Sequence, residues 1–227
     1  MSVILAHLVA RTPTVEDLYS IAELVAACDS AEDGIADRST RDLVSGFQHD
    51  SFHLERDAWV IVNGHKQFAG FACVWHRDHE EFSTFICVHP QYRKRGIGTL
   101  LLRMAEQHTR ELMRLARPGT RVSLRCMVSE KNAQARYLFE REGYVSIREF
   151  WCVTLEVVEA SGDGVSHAGK FAIDLEVEAG QLVGTTALYD REGVYSVRQF
   201  VTYEKELRLA DEKCDGPGDS AETLIGV

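Results

Sequence analysis

No stretch of the 227-residue chain approaches the run of about 20 apolar residues that a membrane-spanning helix needs, which argues against a membrane protein. The six cysteines never fall in a C-x-x-C pair, so neither a zinc knuckle nor a local dithiol motif is suggested, and no metal site is expected. Positive charge is not in surplus. The formal net charge of −10 argues against nucleic acid as a partner, because phosphate-backbone binding needs a basic surface. It suits a cationic small substrate such as an amine. The apolar start has no basic n-region and is broken by His7, so residues 3–10 are expected to form a first strand rather than a signal peptide. Prolines are few, and the 45% hydrophobic and 26% charged content is that of an ordinary globular chain with material for at least one core. Cys28, Cys73, Cys87, Cys126, Cys152 and Cys214 are scattered, several inside strand-like apolar runs. A thiol there behaves as a small hydrophobe, which reads as reduced core cysteines of a cytoplasmic protein.

What is present is an alternation of strands and helices over residues 1–156. Thr14 is a plausible N-cap, with Asp17 three positions on, for a helix whose apolar stripe is Leu18, Ile21, Ala22, Val25 and Cys28. Residues 29–37 read as an acidic loop, and Ser39 as the cap of a helix carrying Leu43, Val44 and Phe47. Two apolar runs around Asn63-Gly64 predict a hairpin. After residues 82–88, a further strand, a long stripe runs through Ile97, Leu100, Leu101, Met104, Ala105, His108, Leu112 and Leu115. Residues 122–128 read as a strand, Asn132 as the cap of a helix that Gly143 ends, and residues 145–157 as another strand. Trp59, Trp75 and Trp151 lie in strand-like runs and read as core.

Residues 138–150 recur 50 positions later as residues 188–200, with seven of thirteen positions identical. This reads as a duplication whose second copy has no counterpart of residues 1–115. The expected organisation is a domain at 1–156, a linker at 157–169, a partial strand-helix-strand unit at 170–210 and a disordered tail at 211–227. Half an α/β unit cannot bury its own sheet face, so it must pack on the first domain or on a second chain as a homodimer.

The chemistry concentrates in Arg93-Lys94-Arg95-Gly96-Ile97-Gly98-Thr99, between a strand and a long helix. Glycines there let the backbone turn tightly and approach a ligand, and the N–H groups of a helix start favour an anion. The arginines and lysine add positive charge, and the implied ligand is a pyrophosphate. Neither G-x-G-x-x-G nor G-x-x-x-x-G-K-[ST] fits.

Residues 88–98 resemble motif A of the GNAT acetyltransferases, V-x-P-x-Y-R-x-x-G-x-G, and residues 132–144 resemble the family's following helix. The resemblance covers residues 1–156, with a partial second copy, as in a shortened tandem protein of that superfamily. It implies an α/β fold with a mixed, mostly antiparallel sheet flanked by helices, in which two neighbouring strands splay apart to admit a pantetheine arm. The implied activity is N-acetylation of a primary amine, on a small molecule or peptide, with acetyl-CoA as cosubstrate. Carried over by position, the backbone of Ile86, Cys87 and Val88 would pair with the pantetheine, residues 93–99 would cradle the pyrophosphate, and Asn132 would lie near the arm.

A general base is needed to free the amine, and Glu80 and Glu81, at the start of the strand leading to the site, are the candidates. Asp29, Glu32 and Asp33 are candidates for holding a cationic acceptor. His76 and His79, spaced H-x-x-H, read as exposed turn residues. The family often places a tyrosine after Leu138 to protonate the departing thiolate, whereas this chain has Phe139 there. Two readings therefore stand beside the enzyme: an acyl-CoA sensor without turnover, and an assembly module dimerising through its C-terminal half unit.

Overall fold

The computed structural model describes residues 7–33, 47, 52–158, 170–178 and 194–209. Its strands are β1 (Leu8–Arg11), β2 (Ala58–Asn63), β3 (Phe68–Arg77), β4 (Glu81–Val88), β5 (Val122–Ser129), β6 (Val145–Val158), β7 (Lys170–Glu178) and β8 (Val194–Arg208). All eight join one sheet in the order β1-β2-β3-β4-β5-β8-β6-β7. Every neighbouring pair is antiparallel except β4 and β5. The helices are α1 (Leu18–Asp33), a single turn α2 (Leu54–Asp57), α3 (Ile97–Leu112) and α4 (Ala133–Arg141).

Side chains alternate across a strand, and the two faces of β3 and β4 bury different helices. Phe71, Cys73 and Cys87 pack with Ile21, Leu24, Val25 and Cys28 of α1. Ala69 and Ala72 pack with Ile97 and Leu101 of α3, and Val74 and Phe82 with Leu102, Ala105 and Phe139. The buried stripe of α3 is Ile97, Leu101, Leu102, Ala105 and Thr109, while Leu115, expected on that stripe, is 68% exposed. Gly70 of β3 lies directly under α3. A Cβ there would stand 2.8 Å from Ile97 Cγ2, so the absence of a side chain lets the helix start sit close to the sheet.

Local chemistry sets the element ends. Thr14 and Asp17 form a capping box, and Arg11 grips the same carboxylate at 2.6 and 2.8 Å. The Asn63-Gly64 hairpin forms, but through a four-residue loop rather than a two-residue turn. The Asn63 side chain accepts from the N–H groups of His65 and Gln67, both at 2.9 Å. Asn132 caps α4 by accepting from Ala135 N–H at 2.9 Å, and Gly143, at φ 87°, ends it.

Several expectations are corrected. The described part of the first strand is Leu8–Arg11. Asp29, Glu32 and Asp33 lie on α1, not in a loop, because the helix runs on through Asp33. His76 is 6% exposed and stacks on His79 with ring centroids 4.0 Å apart, so it is not an exposed turn residue. The helix expected at 39–47 lies outside the described residues apart from Phe47, which stacks on Phe52 at 5.0 Å.

The described C-terminal strands, β7 and β8, join the same sheet as the rest of the described chain. β8 inserts between β5 and β6, pairing Cys126 with Tyr203 on one side and Phe150 with Phe200 on the other. Phe150 and Phe200 occupy equivalent places in the recurring sequence, yet they are cross-strand neighbours that stack at 5.8 Å. The described ends of the two copies are thus adjacent antiparallel strands of one sheet. The helix expected within 170–210, and the tail at 211–227, lie outside the described residues.

Candidate active site

β4 and β5 pair only from Glu81↔Ser123 to Thr84↔Cys126. Beyond that point each strand follows its antiparallel neighbour. Phe85, Ile86, Cys87 and Val88 stay with β3, while Met127, Val128 and Ser129 stay with β8. The two strands therefore open into a cleft of about 1610 Å³. Along residues 85–88 the backbone groups facing β5 have no strand partner in it, which is an edge that an extended ligand can pair with.

At the mouth of the cleft lies the basic Gly-rich segment. Lys94 and Gly96 both take left-handed backbone conformations, at φ 64° and 84°, and Gly96 is the N-cap of α3. The first intrahelical bond runs from Leu100 N–H to the Gly96 carbonyl at 3.0 Å. The N–H groups of Ile97, Gly98 and Thr99 therefore have no acceptor within the helix, and a helix start of this kind seats an anion. A Cβ on Gly98 would meet Leu138 Cδ2 at 3.2 Å and Val88 Cγ2 at 3.7 Å, so the bare backbone keeps the passage between loop and cleft open. Tyr92 buttresses the turn: its hydroxyl accepts from Asn63 Nδ2 at 2.7 Å, and the Arg95 guanidinium lies 5.1 Å over its ring.

The expected coenzyme residues are brought together. Ile86, Cys87, Val88, Arg93, Lys94, Arg95, Gly96, Ile97, Gly98, Thr99 and Asn132 all line the cleft. Two details were not foreseen. The Val88 carbonyl is already engaged, by Cys28 Sγ at 3.3 Å and Arg93 Nε at 3.3 Å. Glu32, expected only as an acceptor ligand, ties the site together by accepting from Arg93 Nη2 at 2.8 Å and Asn132 Nδ2 at 2.5 Å. Its neighbour Asp29 also lines the cleft, and Asp33 does not.

Glu80 and Glu81 are not brought in, because the cleft wall on β4 begins at Ser83. Glu80 lies 3.7 Å from Arg117, and Glu81 lies 3.6 Å from Arg125 beside the paired end of β4. Phe139 lines the cleft but is 3% exposed, stacked on Tyr203 at 5.7 Å and edge-on to Tyr144 at 5.1 Å. Burial pushes the Tyr144 phenol far up, so it keeps its proton.

Sequence reasoning missed the wall that β5 and β8 supply: Arg125, Ser129, Arg198, Phe200 and Thr202. The period-2 pattern of β5 was legible, but nothing local says that β8 lies beside it. Cys28 and Trp75 also line the cleft although both were read as core. Glu204, 5% exposed, backs Arg125 at 2.6 Å and also pairs with Arg121. Burial alone would raise its carboxyl, but the two guanidiniums outweigh that and hold it below its ordinary value.

An opened strand beside a glycine-bent, basic helix start is an arrangement that can seat an extended, anionic ligand between two splayed strands. Residues 55–146 match the family model of the acetyltransferase (GNAT) domain. The whole fold agrees. A GCN5-related N-acetyltransferase from Sphaerobacter thermophilus superposes with a TM-score of 0.71 at 17% identity, over 91% of this chain and 99% of that one. The ribosomal-protein-S18-alanine N-acetyltransferase from Escherichia coli gives 0.53 at 14% identity, over 90% and 97%. The structure of yncA from Salmonella typhimurium with its cofactor acetyl-CoA gives 0.52 at 14% identity, over 89% and 95%. At these identities the likeness is one of fold. No curated protein matches the chain.

Proposed function

We propose that this protein transfers an acetyl group from acetyl-coenzyme A to a primary amine of a small-molecule or peptide acceptor, by direct attack within a ternary complex. The carrying observation is the loss of β5 pairing along residues 85–88 immediately before the Gly96 helix start. Acetyl-coenzyme A supplies the activated thioester. The residues present fit it: unpaired backbone on β4 for the pantetheine amides, and free N–H groups with Arg93, Lys94 and Arg95 for the pyrophosphate.

The protein's own part is placement and proton handling. An alkylamine of pKa about 10.4 enters as a cation and must lose a proton before attack. Of the three carboxylates lining the cleft, Glu142 pairs with Arg103 and Arg141, and the charge of Asp29 and Glu32 on α1 draws the ammonium in. The proton then leaves to a cleft carboxylate, directly or through water. Holding amine and coenzyme against one another makes the attack effectively unimolecular. Phe139 has no hydroxyl to protonate the departing thiolate. That favours a second reading, a coenzyme-binding sensor without turnover.

The test is thermal stability with and without acetyl-coenzyme A, on wild type and Gly98→Trp. Ligand at a hundred times its Kd adds about 2.7 kcal/mol, which is a rise of roughly 5–10 °C for a chain of this size. The expected result is that rise in wild type and none in the variant. Thiol release on an amine panel then separates enzyme from sensor. No rise at millimolar coenzyme refutes both.

A further inference from the structure

Two thiols meet inside the cleft from elements that are distant in sequence. Cys28 comes from the last turns of α1 and Cys87 from the unpaired end of β4. They pack in the same apolar cluster, both line the cleft, and they are 5% and 8% exposed. Cys28 Sγ donates to the carbonyl of Val88, the residue next to Cys87 on β4, at 3.3 Å. Of the other described cysteines, Cys73 is fully buried beneath β2 and α1, Cys152 packs with Phe150 and Phe200, and Cys126, which also lines the cleft, packs in a different core cluster with Phe82 and Phe139.

We propose that Cys28 and Cys87 are an oxidant-sensitive dithiol that closes to a disulfide across the cleft, and that bound coenzyme and disulfide formation exclude one another. The proposal rests on the coenzyme reading for its second half only. The neighbouring Cys87 thiol, followed by the charge of Arg93, holds the Cys28 thiol below its ordinary value against burial and Glu32, whereas Cys28 and burial push Cys87 up. Cys28 is therefore the attacking sulfur.

With hydrogen peroxide as oxidant, the Cys28 thiolate takes one oxygen to give a sulfenic acid, and hydroxide leaves. The Cys87 sulfur then attacks the Cys28 sulfur, forming the S–S bond and expelling water. Two thiols lose two electrons and two protons, and one peroxide becomes two waters. Closure brings two sulfurs of one packed cluster to about 2.05 Å. It takes the Cys28 S–H away from the Val88 carbonyl and ties α1 to the strand that the pantetheine arm would occupy. An arm laid on residues 85–88 in turn covers the wall through which solvent reaches both sulfurs.

The experiment is peroxide treatment of the full-length protein, alkylation of remaining thiols and tryptic mapping. Peptides 12–38 and 78–93 each hold one cysteine, Cys28 and Cys87 respectively. The expected product is their cross-link, lighter by two hydrogens than the two reduced peptides, with Cys73 and Cys152 still alkylated after unfolding. Cys28→Ser should lose the cross-link, and dithiothreitol should reverse it. Acetyl-coenzyme A at ten times its Kd should slow cross-linking about tenfold, as mass action requires when only the free form reacts.

Cys28 oxidised to a sulfinic acid without cross-linking, or paired with Cys214, overturns the dithiol. Coenzyme that raises the thermal midpoint of the reduced protein yet leaves the cross-linking rate unchanged overturns the exclusion. Absence of any midpoint shift refutes the coenzyme reading and with it the exclusion, while the cross-link map alone decides the dithiol.

Discussion

Asp57 shows how far a single residue's chemistry reaches. It is 1% exposed yet carries a carboxylate, held by His108 Nε2 at 2.9 Å, Arg56 Nε at 2.8 Å and the His53 N–H at 2.7 Å. Burial alone would raise its pKa, but these partners outweigh burial and bring it from 3.8 down to about 2. A carboxyl depressed in the folded state stabilises above its unfolded pKa. That stability disappears as pH falls from about 4 through about 2, and amounts to roughly 2 kcal/mol. Asp57→Asn should be less stable at neutral pH, and its urea midpoint should fall less steeply than wild type below about pH 4. Parallel curves for the two proteins would assign the acid sensitivity to other groups. No sequence pattern marked Asp57, because His108 lies 51 positions away and was read as part of an apolar stripe.

At the scale of elements, β8 is the strand on which the site depends. It pairs with β5 from Arg208 to Phe200, and it keeps β5 in place where β4 departs. It also supplies Val201, Tyr203 and Leu207 to the core that contains Phe139 and Tyr144. A chain ending at Val158 would leave β5 without its antiparallel neighbour and open that core. Removing a single large buried side chain already costs about 3–5 kcal/mol, comparable with the whole stability of a domain. The truncated chain is expected to be insoluble or to lack near-ultraviolet dichroism. A soluble, folded product that still binds acetyl-coenzyme A would show that β8 is dispensable.

The described strands form one sheet, so the protein should unfold as one unit. Trp59 and Trp75 lie on β2 and β3, and Trp151 lies on β6 across β8 from them. Fluorescence and far-ultraviolet dichroism should therefore give coincident urea transitions, whereas two transitions would restore a separate C-terminal domain. The sequence by itself determined the Gly96 helix start, the caps at Thr14 and Asn132, the Asn63-Gly64 hairpin and the α3 stripe. Each depends on backbone freedom, hydrogen-bonding side chains or periodicity within a few residues. It also carried most of the residues proposed for the coenzyme, because all of them but Asn132 lie within residues 86–99. Tertiary structure alone decided what long-range pairing controls: that β8 enters between β5 and β6, that Glu32 joins Arg93 to Asn132, that Glu80 and Glu81 stay outside the cleft, and that Cys28 and Cys87 share one buried cluster. Strand order and the meeting of side chains about 60 or 100 positions apart follow from loop closure and packing over the whole chain, which no local pattern encodes.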